Sequence, residues 1–204
     1  MKYIYFIGIC LLLFLSGCKE KQANNGNQEP APGAVPSPAA ISCQVREQSL
    51  LDAALNGQFE AIENLIAENV NVNAADPDGR SALMLASFNG HSGIVALLIN
   101  KGAVVDLVDG FGRTALHYAS TGPFLPAVEF LLKKGSDPNM VDSEEHFTPL
   151  MFAAAEGYID VVRILLEYHA DPSLKDIDGD TAETFARQNG HDEVAELLKS
   201  KSTQ

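Results

Sequence analysis

The stretch Asp76 to Val108, DPDGRSALMLASFNGHSGIVALLINKGAVVDLV, decides how the chain is read, because its pattern recurs on both sides. Moving forward in steps of 33, 34 and 33 residues, Ser81 is followed by Thr114, Thr148 and Thr181, Ala86 by Ala119, Ala153 and Ala186, and Leu98 by Leu131, Leu165 and Leu198. Moving back by 33 reaches Ala53, Gly57 and Leu65. A fixed period without large insertions describes a row of units, each too small to bury its own apolar face, so neighbours must stack. Five units follow, at 43–75, 76–108, 109–141, 142–175 and 176–199, with 200–204 expected as a disordered tail.

Each unit reads as helix, turn, helix and extended tip, which makes the fold class all-α. Ser or Thr ahead of the apolar run caps a first helix through its hydroxyl, and Pro149 stands at a first helical position where its missing N–H is harmless. Alanines allow close approach of a neighbouring helix, and Gly90, Gly157 or Gly190 breaks the helix so that a second can return. The second helix carries the stripe Val95, Leu98 and Ile99, repeated as Val128, Leu131 and Leu132 and then as Val162, Leu165 and Leu166. Gly102 and Gly135 supply a left-handed helix end, with Asn69 and His169 at the same register. Two irregularities stand out: Ser120 to Pro126 replaces the Gly-His turn, and Asp142 to Phe147 holds one extra residue. Leu83, Leu116 and Leu150 give way to Glu183 in the last unit, as expected where no further unit packs. Tyr118, Phe152 and Phe185, with Leu85, are expected in the core.

The best instances, DGFGRTALHYA at 109–119 and TPLMFAA at 148–154, resemble the ankyrin repeat, and the resemblance covers nearly all of Cys43 to Lys199. It implies an ankyrin-repeat solenoid with hairpin-like tips, and recognition of another protein through the tips and the concave face of the first helices. Positions matching the family's variable contact sites are Arg80, Phe88, Asn89, Phe111, Arg113, Thr121, His146, Phe147, Ala155 and Glu156. Among these, Phe88, Phe111 and Phe147 are expected to act as aromatic anchors.

Upstream, Lys2 precedes an apolar run from about Tyr3 to Leu15, too short for the ~20 residues that cross a bilayer core, so residues 1–17 read as a cleaved signal. Leu15-Ser16-Gly17-Cys18 resembles a bacterial lipobox, which implies acylation of Cys18 and retention at a membrane. With Lys19 next, the resemblance extends to outer-membrane lipoproteins that face the periplasm or the cell surface. Residues 18–42 are polar and then broken by Pro30, Pro32, Pro36 and Pro38, the composition of a disordered tether.

Formal charge is −13, and loss of Lys2 with the signal makes it one unit more negative. Such acidity argues against nucleic acid and allows a basic protein partner to be steered in. Once Cys10 leaves and Cys18 is acylated, Cys43 is the one remaining thiol, which either bridges to another chain or stays inert.

Catalytic chemistry finds no frame. Gly90-His91-Ser92-Gly93 has Ile94 where a nucleophile elbow needs its second glycine. Asp176, Asp178 and Asp180 alternate as in a calcium loop, but the twelfth position is Arg187. The histidines lack ligand spacing, so no metal or cofactor is expected. The sequence thus describes a membrane-anchored interaction module that is not an enzyme. An inhibitor or immunity-type protein against an envelope toxin or enzyme is the nearest alternative, with a small-molecule-binding protein or an enzyme behind it.

Overall fold

In the computed structural model, residues 38–202 are described, with side chains over 43–201. The expected signal, Cys18 and most of the expected tether lie outside the described residues. Ten helices run in five antiparallel pairs among the described residues: α1 Pro38–Leu55 with α2 Phe59–Ala67, α3 Ala82–Phe88 with α4 Ser92–Asn100, α5 Ala115–Ala119 with α6 Leu125–Lys133, α7 Pro149–Ala155 with α8 Ile159–Glu167, and α9 Ala182–Gln188 with α10 Asp192–Ser202. The first helices α1, α3, α5, α7 and α9 pack in series, and the second helices do the same, giving two layers. Two boundaries differ from the sequence expectation. Helix α1 starts at Pro38, five residues inside the expected tether, because a proline at a first helical position costs no hydrogen bond. Helix α10 continues through Ser202, three residues into the expected tail.

The first helices are short and capped at one register. Ser81, Thr114, Thr148 and Thr181 each accept a bond from the backbone N–H three residues on, and each receives a reciprocal contact through the side chain at that third position. The alanines do what the spacing predicts: Ala53 is 2 % exposed, and Ala86, Ala119, Ala153 and Ala186 are fully buried. Between the layers lie Leu50, Ile62, Leu98, Leu131, Leu165 and Leu198, all fully buried. A leucine truncated to alanine in such a core costs about 2–5 kcal/mol.

Turns bind neighbouring units. At three of the turns a ring from the following turn lies over a glycine: a Cβ added at Gly57 would come within 2.7 Å of His91, one at Gly90 within 2.1 Å of Phe124, and one at Gly157 within 2.4 Å of His191. Phe124 thereby restores, with a different residue, the contact that the irregular turn of the third unit withholds from a histidine. Asn89 and Asn189 donate side-chain N–H groups to the carbonyls of Leu55 and Ala155, both at 2.7 Å. At the far end Glu183 is half-buried and pairs with Arg187, whereas Leu83, Leu116 and Leu150 are at most 1 % exposed. The left-handed helix ends are at Asn69, φ 59°, and His169, φ 67°, as their register with Gly102 and Gly135 requires.

Candidate functional site

Four tips project from the stack, each closed by a bond from its first aspartate's backbone N–H to the carbonyl of the residue before the cap: Asp76 to Arg80, Asp109 to Arg113, Asp142 to Phe147 and Asp176 to Asp180, at 3.0–3.1 Å. The aspartate carboxylates turn inward and accept tip N–H groups, as Asp109 does from Phe111 and Arg113 at 2.9 Å. Asp176 accepts likewise from Asp178 and Asp180, so this run of aspartates is an Asx-type turn. Tips also bond to one another. Gly110, Ser143 and Ile177 donate their N–H groups to the carbonyls of Asp78, Phe111 and Glu145 at 2.8, 2.8 and 3.1 Å. His146 takes the left-handed position, φ 58°, held elsewhere by Gly79, Gly112 and Gly179, which is how the fourth tip absorbs its extra residue.

Two of the residues before a cap, Arg113 and Phe147, reach forward onto the next unit. Arg113 lies between Phe111 and Phe152, its guanidinium carbon 5.7 and 5.4 Å from the ring centroids, and binds Asp142 at 3.0 Å through Nε and Nη2. Phe147 fills the same position in the fourth tip. Expected as an exposed anchor, it is 7 % exposed and packs edge-on against Phe152 and Phe185 at 5.6 and 5.1 Å. It is core because an aromatic at this position meets the next unit's own aromatic rather than water. Arg80 binds Asp76 at 2.7 Å and Asp78 at 3.2 Å. Much of what the sequence offered as contact chemistry therefore holds the tips together.

The other expected contact residues vary. Phe88 is half-buried and meets Tyr118 edge-on at 6.0 Å; Phe111 is half-buried under Arg113. Thr121, Ala155 and Glu156 are half-buried, with the Thr121 hydroxyl bound to the Tyr118 carbonyl. Asn89 and His146 are exposed. Tyr118 donates its hydroxyl to Asp109, and burial, then that bond, pushes its titration far up. Periodicity also singled out neither Val108, 43 % exposed, nor Val141, 41 %, which directly precede the tip aspartates, nor Ile177, 55 %, in the last tip. Val108 and Val141 left a signal, an apolar residue at the same register of two neighbouring tips that the core does not need; Ala75 and Lys175 hold that register in the others, and Ile177 lies two positions on. Cys43 is exposed on α1, its thiol 3.7 Å from Glu47.

Among the described residues no helix is long and apolar enough to cross a membrane. A capped stack with tips of this kind defines a repeat scaffold for binding proteins. The family profile described as ankyrin repeats (three copies) matches residues 50–142 and 124–204, and the chain belongs to the ankyrin-repeat family. Similar segments occur in a rice protein named as a probable E3 ubiquitin-protein ligase, XBOS33 (Oryza sativa subsp. japonica), 45 % identical over 51 residues, and in the human Espin-like protein, 42 % over 52. The mouse ARF GTPase-activating protein GIT2 is 44 % identical over 55 residues. These alignments cover 25, 26 and 27 % of this chain and only 10, 5 and 8 % of the relatives, so the likeness is confined to repeat segments.

Proposed function

We propose that the chain is a lipid-anchored, extracytoplasmic ankyrin module that holds a protein partner along its tips, without catalysis of its own. The observation that carries the docking reading is the recurrence of exposed Val108 and Val141 beside acidic tips, with Ile177 exposed at a different register of the last tip. Exposed apolar side chains supply contact area. The carboxylates around them, Asp78, Glu144, Glu145, Asp178 and Asp180, favour a partner that brings basic groups. Arg80 and Arg113 are already engaged with tip carboxylates and serve to set the spacing of the edge.

Anchorage rests on the residues Leu15-Ser16-Gly17-Cys18 and on the polar, proline-broken stretch after them. Acyl chains contribute about 0.8 kcal/mol per buried CH₂, and two or more hold a protein at a bilayer where one holds it only marginally. An outer-membrane position follows from Lys19. In the native bacterial envelope the full chain should take up labelled palmitate and partition with detergent-extracted membranes, and Cys18→Ser should abolish both. A cleaved Cys18→Ser chain that still partitions fully with membranes contradicts lipid anchorage.

A further inference from the structure

The four reciprocal caps differ in the side chain that closes them: Met84, His117, Met151 and Thr184. Of these four only His117 carries an imidazole, a group whose ordinary pKa of about 6.5 lies near neutrality. Its neighbours dictate where its hydrogen sits. Nε2 lies 3.1 Å from the carbonyl oxygen of Phe147 in the fourth unit, which can only accept, so Nε2 carries hydrogen. Nδ1 lies 3.1 Å from the backbone N–H of Thr114, which can only donate, so Nδ1 is bare. The Thr114 hydroxyl is 2.9 Å from the same nitrogen. One ring thus closes the cap of α5 and ties the third unit to the fourth, at 1 % exposure and edge-on to Phe152.

We propose that His117 makes the cap of α5, at the joint between the third and fourth units, acid-sensitive: a proton on Nδ1 sets its N–H against that of Thr114 and opens the cap, while the Nε2 bond to Phe147 persists. The charged groups facing the ring are Asp142, which favours the charged form, and Arg113, which opposes it; the two are bound to each other. Burial, the largest influence, outweighs the favourable ones and holds the imidazole below its usual value of about 6.5. The unfolded chain therefore takes up the proton first as pH falls. Stability from the neutral ring is complete above about pH 6.5 and is lost as pH falls from there toward the lower folded value. At the first joint, His91 faces the Leu55 carbonyl through Nε2 at 3.2 Å, a bond that a charged ring keeps.

Hydrogen exchange of the full chain, corrected for intrinsic rates, tests this between about pH 7.5 and about pH 5.5. Exchange around Thr114 should accelerate, by up to about tenfold for each unit by which the folded value is lowered. His117→Met, which installs the side chain used in the second and fourth units, should remove that acceleration. Equal acceleration in both proteins, or opening that begins at another joint, overturns the proposal. Ring nitrogen shifts in the unaltered protein give an independent reading. His117 should keep the Nε2–H form below the usual imidazole value of about 6.5; charging at that value, with the Thr114 amide unmoved, also overturns it.

Discussion

The tip edge and the outward side of the second helices both carry charged residues, and they use them differently. On the second helices, Glu129 and Lys133 pair one turn apart in solvent, and Arg163 reaches Glu193 at 3.6 Å with both side chains more than half exposed. Such pairs add little to stability. At the tips, Asp142 is fully buried and accepts from Glu145 and Phe147 N–H groups at 3.0 and 3.2 Å while holding Arg113. The difference is one of solvent: the same ion-pair chemistry is structural where the carboxylate has no water to return to. Tip charges shape the edge, and the residues free to meet a partner are the exposed ones between them.

The sharpest break in this comparison comes from Asp142→Ala. It strands two N–H groups and a guanidinium that is itself mostly buried, and should cost about 3–5 kcal/mol. Denaturant unfolding at unchanged slope measures it. Glycines extend the contrast at smaller scale. Gly112→Ala places a Cβ 2.4 Å from Ser143 Oγ and 2.9 Å from its backbone nitrogen, at φ 75°. Gly135→Ala, after α6, meets nothing within 4 Å at φ 91°. The second should show only the left-handed strain, about 1–2 kcal/mol, and the first an overpacking cost of about 1–3 kcal/mol more. Equal losses would mean that the tip contact yields freely. Smallest is Lys133→Ala. Its partner Glu129 raises the Lys133 pKa, yet the ammonium stands in solvent, so the thermal midpoint should stay where it is.

Much of the fold was legible because it depends on period and chemistry together. Ser81 and its threonine counterparts cap, the alanines admit close neighbours, and Asn69 and His169 adopt positive φ because their register demands it. The edge was less legible. Sequence spacing marks Arg80, Arg113 and Phe147 as one position, but it does not say that Arg113 and Phe147 lean onto the next unit's first helix. Phe147 was consequently read as exposed, although Phe185 waits 5.1 Å away. The role of His117 was hidden for the same reason, since its second partner is a backbone carbonyl 30 residues on. Periodicity identifies equivalent positions; which of them face a neighbour depends on stacking geometry that only the assembled units display.

The most direct test of the proposed docking edge uses the protein captured by crosslinking to the full chain, and measures its affinity for two sets of variants. Val108→Asp with Val141→Asp alters the exposed apolar positions and adds charge where the core is untouched. Lys133→Glu with Glu167→Lys alters the second helices and leaves net charge unchanged. Affinity should fall tenfold or more for the first pair, about 1.4 kcal/mol, and stay unchanged for the second, with both folded. Loss of affinity in the second pair with normal binding by the first would contradict the proposed docking edge.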